Sequence, residues 1–254
     1  MSLTLYHAEP VANSAKVLIP LHEKGLPFES RYIDLSKYEQ HEPWFVAINP
    51  EGQVPVLDHD GFIVTQTTVI NEYLEDAFPE APPLRPNTPQ GNARMRYWNK
   101  FIDEHVMNYV SIHGWTRRVA YFAQSTDAET FEKMVARIPL VEQQRKWRKA
   151  REGFDQAELD EATRKVRLAV DKVEAQLTET PWLVGDMFTL ADVNFYSHCA
   201  MMLERLFPEI GVRSELPHLF DWADRVKARP GVAAALKSED RTSAEALAFM
   251  AQKR

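Results

Sequence analysis

One cysteine, Cys199, in 254 residues excludes an intrachain disulfide and any Cys-x-x-Cys redox or zinc framework. A cytoplasmic location is the simplest inference from that scarcity. No apolar run reaches about 18 residues and no charged-then-apolar leader is present, so neither a membrane span nor a signal peptide is expected. Positive charge is also short: 30 Lys and Arg against 37 Asp and Glu give a net charge of -7, which supplies no overall basic field for nucleic acid. His113 and His198 stand without a repeated ligand spacing, so no metal site is expected. No internal repeat or low-complexity tract is present. What is there, 44% hydrophobic and 26% charged residues, is an ordinary soluble globular composition. The length suits one large domain or two modest ones.

The chain divides by pattern. Up to about residue 78, short β-like runs alternate with helical ones: Leu3 to Tyr6, Ala12 to Lys24, Phe28 to Ile33, Val54 to Leu57, Phe62 to Val64, and a helix from about Gln66 to Phe78. Such alternation predicts a small α/β unit over residues 1–80. Asp60-Gly61 between two apolar runs is a hairpin signal, so the last two strands should be antiparallel. Pro79, Pro82, Pro83, Pro86 and Pro89 are too dense for a helix interior, and residues 81–90 read as a linker. Beyond it, Met95, Trp98, Ile102, Val106 and Val110, and then Val166, Val170, Val173 and Leu177, recur at steps of three and four. That spacing predicts an all-helical domain over 91–254. Thr189-Leu190-Ala191-Asp192 is a capping box that starts a helix.

The most specific stretch is Asn49-Pro50-Glu51-Gly52-Gln53-Val54-Pro55-Val56-Leu57, a turn, a proline and an apolar strand in immediate succession. It resembles the Asn-Pro-x-Gly-x-Val-Pro-x-Leu signature of the glutathione transferase family. The order of a thioredoxin-like unit, a proline linker and a helical domain holding the Thr-x-x-Asp box resembles that family over essentially the whole chain. The resemblance implies a thioredoxin-like α/β N-terminal domain, an all-α C-terminal domain, glutathione as co-substrate and a homodimer. It also implies a cis peptide at Pro55 and a glutathione site that includes Gln53, Val54 and Pro55, with the Val54 backbone pairing with the cysteinyl part like an added strand.

The same resemblance assigns the remaining contacts. Free amides at the start of the helix near Gln66 face the γ-glutamyl carboxylate. Family members usually carry an acid followed by serine there; this chain reads Gln66-Thr67, which keeps the hydroxyl and removes a charge partner for the ammonium, so that either binding is weaker or an acid elsewhere compensates. Gln40 and His41 are candidates for the glycyl end, or else solvated loop residues. Thiol activation falls at the first strand-helix turn, where Ser14 is the nearest hydroxyl with Asn13 beside it. Both are also good helix caps, and Tyr6 is the rival hydroxyl although its alternation with Leu3 and Leu5 places it in the strand. The absence of cysteine at this turn argues against mixed-disulfide reductase chemistry.

A narrower resemblance is to the bacterial β-etherases, the branch that cleaves β-aryl ether bonds of lignin fragments. It rests on Glu142 to Phe154, on Tyr38-Glu39-Gln40-His41 with Trp44-Phe45, on Ala12-Asn13-Ser14 and on Ile70 to Asp76. It implies attack of the glutathione thiolate on the carbon bearing the aryloxy group, next to a ketone, with loss of a phenol. A two-ring substrate calls for a flat apolar slot; Ile112, Trp115 and Trp147 are candidates, each equally readable as core. The basic residues Arg145, Lys146, Arg148, Lys149 and Arg151, interspersed with acids, read as a solvated helix face rather than a nucleic-acid site. Cys199 reads as buried packing. The stretch from Ser238 to Arg254 either covers the cleft or frays. Alternatives to a β-etherase are a related transferase acting on aryl halides, epoxides or quinones, and a non-catalytic binding module of the same fold.

Overall fold

The computed structural model describes residues 2–252. In the first unit β1 (Leu3–His7) buries alternate residues, Leu3, Leu5 and His7, and α1 (Ala12–Glu23) crosses over to β2 (Glu29–Tyr32), which lies parallel to it. After a short helix, α2 (Pro43–Val46), β3 (Val56–His59) runs antiparallel to β1 with Leu5 opposite Leu57. Asp60 and Gly61, both at positive φ, turn the chain into β4 (Phe62–Val64), as an Asp-Gly hairpin requires. The sheet order is β2-β1-β3-β4. Helix α3 (Thr67–Ala77) follows. The expected α/β unit and its antiparallel final pair are thus present.

The second unit opens inside the segment read as linker. Thr88 caps α4 (Pro89–Phe101) by accepting from the Gly91 amide at 3.1 Å, and Pro89 takes the first helical position, where its missing N–H costs nothing. The helix continues through a π turn (Ile102–Val106), α5 (Met107–Gly114), a second π turn (Trp115–Val119) and α6 (Ala120–Ser125). Then come α7 (Ala128–Ala136), α8 (Val141–Glu152), α9 (Gln156–Glu179), α10 (Leu190–His198), α11 (Leu203–Leu206), α12 (Pro217–Lys227), α13 (Pro230–Ala235) and α14 (Ala244–Gln252). The predicted capping box is formed at α10: Asp192 accepts from the Thr189 amide at 2.9 Å and also from Trp222 Nε1 at 2.9 Å. Every residue of α10 is buried.

One apolar core runs through both units, with Leu18, Leu57 and Ile70 from the first and Met95, Val166, Phe195 and Trp222 from the second. A polar cluster crosses the same boundary. Lys16, only 2% exposed in its side chain, donates from Nζ to Asp103 Oδ1 and to Thr68 Oγ1, each at 2.7 Å. Thr68 donates to Asp103 Oδ2 at 2.6 Å, and Asn194 Nδ2 donates to Asp103 Oδ1 at 3.0 Å. Burial pulls the Lys16 pKa down, and the ammonium holds the Asp103 carboxyl below its usual range against the burial that opposes ionisation.

Removing one partner of a buried pair strands the other charge, a cost of about 3–5 kcal/mol. Asp103→Ala is therefore expected to lower stability by about 3 kcal/mol, near the lower end because Asp103 retains some solvent. Chemical denaturation checks this, and a midpoint within error of the parent would remove the bridge from the account of domain docking.

Candidate active site

The turn from β1 into α1 is built against local preference. Ala12 holds φ at +47°, a left-handed conformation that costs an alanine about 1–2 kcal/mol. The N-cap of α1 is Val11, with no side-chain cap bond, so neither Asn13 nor Ser14 serves as the helix cap. Ser14 is 4% exposed, and its Oγ accepts from the Ala8 amide at 3.1 Å. Among the described residues no acceptor takes the Ser14 O–H, which leaves it to donate. Tyr6 remains in the strand, its ring edge-on to Phe45 at 6.0 Å.

Asn13 is exposed, yet its carboxamide is tethered from 185 residues away: His198 Nε2 lies 2.9 Å from Asn13 Oδ1. The other ring nitrogen of His198, Nδ1, is 2.8 Å from Asn194 Oδ1. Burial, assisted by the nearby Lys16 charge, drives the His198 pKa down, so the ring is neutral and carries a single N–H. Asn194 gives its NH₂ to Asp103 and Asn99, which leaves its oxygen for His198 Nδ1–H. Nε2 is then an acceptor, and satisfying it requires the Asn13 amide to turn its NH₂ toward the ring. Read as an isolated histidine in the sequence, His198 is the buried link between the first turn and the Lys16–Asp103 bridge. The signal that could have found it is a polar side chain in a wholly buried helix, which must have a partner.

The signature loop forms the next edge. Val54-Pro55 is cis, and Asn49 closes the turn by donating from Nδ2 to the Gln53 carbonyl at 2.8 Å while accepting the Glu51 amide at 3.1 Å. Val54 precedes β3 and is half-buried. Gly52 has φ +62°, and a Cβ there would stand 2.9 Å from His41 Cδ2 and 3.1 Å from the Gln40 carbonyl oxygen. Only glycine admits this approach of the Gln40–His41 turn. Both of those residues are buried rather than solvated, and among the described residues Gln40 Oε1 and His41 Nδ1 have no hydrogen-bond partner, as is true of the neighbouring Tyr38 hydroxyl. Burial, reinforced by the Arg137 charge, lowers the His41 pKa to about 4, so it is neutral. Buried polar atoms without partners are costly; here they are acceptors and donors that a bound ligand can satisfy.

Gln66 precedes α3 at φ +66° and donates from Nε2 to Glu51 Oε2 at 2.9 Å. An acid thus stands beside the helix start after all, supplied by the signature loop. No acidic side chain occupies the first turn of α3, so its free amides and positive dipole end are open to an anion. Thr67 is half-buried at the first helical position.

The opposite wall comes from the kinked helix and α8. Arg118 pairs with Glu9, which also accepts from Tyr32 Oη at 2.8 Å, and so brings the second π turn against the β1–α1 turn. Trp115 is half-buried there, its ring 5.6 Å from Trp147. Trp147 is 8% exposed and wedged against Tyr38 at 4.9 Å in a cluster with Phe131, Val135 and Ile138. Ile112 is half-buried one turn before Trp115. The C-terminal stretch docks on this edge: the Arg241 guanidinium lies 4.6 Å from the Tyr32 ring centre and Phe249 packs on Tyr121 at 5.2 Å. Its last two residues, 253–254, lie outside the described residues. The basic face of α8 is not simply solvated. Arg148 pairs with Glu132 and Lys149 with Glu158, whereas Arg151 turns inward to the Ala123 and Thr126 carbonyls and Lys146 to Ser111. Cys199 is buried, which pushes its thiol up to about 12 and fits packing. His113 is shared between the Leu159 carbonyl and Thr163.

Residues 1–76 match the glutathione S-transferase N-terminal domain and residues 129–230 the C-terminal domain. The chain is 45% identical to Protein LigF of a Sphingobium species over 237 residues, 91% of this chain and 92% of that one. The chain belongs to the glutathione transferase family. The crystal structure of the beta-etherase LigF superposes with a TM-score of 0.91 at 44% identity, covering 94% of this chain and all of the other. Glutathione transferase F7 of Populus trichocarpa gives 0.71 at 25% identity over 92% and 99% of the two chains, and Glutathione S-transferase 3 of Zea mays is 28% identical over 229 residues, 90% of each chain. Glutathione is thus the co-substrate.

Gly52→Ala is expected to destabilise the signature loop and weaken glutathione binding at least 10-fold, read by calorimetric titration; parental affinity would separate Gly52 from the site. His198→Phe removes the imidazole from between Asn13 and the Asn194 carboxamide oxygen, with an expected loss of about 1–3 kcal/mol in denaturation. A neutral result would mean that the tether does not contribute to the fold.

Proposed function

We propose that this protein is a glutathione-dependent β-etherase that cleaves β-aryl ether bonds of α-keto aryl ethers derived from lignin. The observation that carries this reading is the similarity to the beta-etherase LigF along nearly the full length of both chains. The thiolate sulfur bonds to the carbon carrying the aryloxy group, activated by the adjacent ketone, and the carbon–oxygen bond breaks to release a phenol. A glutathione thioether remains, with inversion at that carbon.

Ser14 donates its free O–H to the thiolate, and Asn13, held by His198, orients the sulfur or polarises a substrate oxygen. Gln40 and neutral His41 hold the glycyl end. The Val54 backbone, between Gln53 and Pro55, pairs with the cysteinyl unit. Thr67 and the α3 amides take the γ-glutamyl carboxylate, while Gln66 and Glu51 receive the ammonium. Ile112 and Trp115 face the aromatic rings, with Trp147 behind them. The protein acts as a homodimer in the cytoplasm, where a reduced thiol pool sustains the co-substrate.

Thiol activation supplies only part of the rate. A thiol of pKa about 8.5 is roughly 3% ionised at pH 7, and lowering it by about two units yields roughly three quarters, a gain of about 25-fold. Enzymes commonly reach a millionfold or more, so positioning of the electrophile provides most of the remainder.

The test is release of phenol from each enantiomer of a β-aryl ether ketone, with mass spectrometry for the glutathione adduct and an aryl halide for comparison. Adduct and phenol from one enantiomer are expected; conjugation of the halide alone would assign the enzyme to other electrophiles. Ser14→Ala is expected to reduce kcat about 10- to 100-fold, the worth of a hydrogen bond to a charged group, with the fold retained. Unchanged turnover would return thiol activation to Asn13 or Tyr6.

A further inference from the structure

Lys146 stands apart from the other basic residues of α8. It is half-buried, donates from Nζ to Ser111 Oγ at 2.9 Å and lies 4.5 Å from the centre of the Trp115 ring. Among the described residues no carboxylate pairs with it, in contrast to Arg148 with Glu132 and Lys149 with Glu158. An ammonium has three N–H donors, and here one is used within the protein. A half-buried cation on an aromatic face with unspent donors and no counter-ion is placed to meet an anion or a developing negative charge.

Its place in the fold says which one. Ser111, Trp115 and Arg118 follow at steps of four and three and so share a face of the kinked helix. Arg118 reaches Glu9 in the turn that carries Ser14. Lys146 therefore lies beside Trp115 on the helix face that reaches the β1–α1 turn, and in the reading proposed above Trp115 faces the aromatic slot. If the β-etherase reading holds, the one anion that forms within that slot is the aryloxide.

We propose that Lys146 is a catalytic residue for ether cleavage: its ammonium hydrogen-bonds the aryl oxygen as the carbon–oxygen bond breaks and gives it a proton. This rests on the β-etherase reading above. Carbon–sulfur bond formation supplies an electron pair, the carbon–oxygen pair leaves on the aryl oxygen, and the Lys146 proton neutralises it. The proton lost earlier by the glutathione thiol to solvent is regained from solvent by the lysine, so thiol plus ether gives thioether plus phenol. Burial lowers Lys146 to about 8, and an ordinary phenol titrates near 10, so transfer is downhill by roughly 100-fold, yet the group remains mostly protonated at pH 7.

The experiment measures kcat/KM for a series of aryl ether ketones whose leaving phenols range from 4-nitrophenol to unsubstituted phenol, with the parent, Lys146→Met and Lys146→Gln. Conjugation of an aryl halide, whose chloride needs no proton, monitors the fold and the thiol. Both variants are expected to lose about 100-fold with the unsubstituted phenoxy ether, within the range of general acid catalysis, and less than about 5-fold with the nitrophenoxy ether. Equal losses across the series, or none, would overturn the assignment of Lys146 while leaving the β-etherase reading intact. Failure of the parent to release phenol from every ether while still conjugating the halide would overturn that reading and this proposal with it.

Discussion

The buried ammonium of Lys16 sets the geometry on which the site depends. It rises from α1, two residues after Ser14, and finds Asp103 in the second unit and Thr68 in α3, one residue after Thr67. An ammonium taken out of water costs several kcal/mol unless charge and hydrogen bonds compensate it, so these three helices cannot slide relative to one another without exposing that cost. The bridge therefore fixes the β1–α1 turn that carries Ser14 and the start of α3 in one frame. Through Asp103, Asn194 and His198 the same network extends to Asn13.

Where that network is satisfied, the structure is rigid and its polar atoms are spent. The opposite holds at the Gln40–His41 turn, where Gln40 Oε1, His41 Nδ1 and the Tyr38 hydroxyl are buried without partners among the described residues. The Gly52 approach forces Gln40 and His41 against the signature loop, and Tyr38 is packed on Trp147. The fold thus holds polar groups away from both water and protein, where a bound ligand can complete them. Packing of the second unit against the first creates this condition, because Arg137 and Trp147 close over the loop from outside.

Much of the architecture was legible in order along the chain. Asp60-Gly61 specified its hairpin because few residues tolerate positive φ at both turn positions, and Thr189-Leu190-Ala191-Asp192 specified a helix start because its side chains answer amides three residues away. Proline density reads as linker over 81–90, and α4 begins within it at Pro89 because proline is well suited to the first helical position. The burial of Trp147 and the inward turns of Lys146 and Arg151 were unreadable for another reason. Helical spacing states which residues share a face but not what that face meets.

The sequence by itself determined the family, the two-part architecture and the candidate residues of the thiol turn, the cis-proline loop and the start of α3, since each is encoded by neighbours within a few positions whose backbone demands are local. Only the tertiary structure decided that His198 holds Asn13, that Glu51 stands beside Gln66, that Lys16 meets Asp103 and that Lys146 lies over Trp115. Those contacts join residues from 15 to 185 positions apart. Their existence depends on how helices dock, which burial of charge and apolar surface settles over the whole molecule.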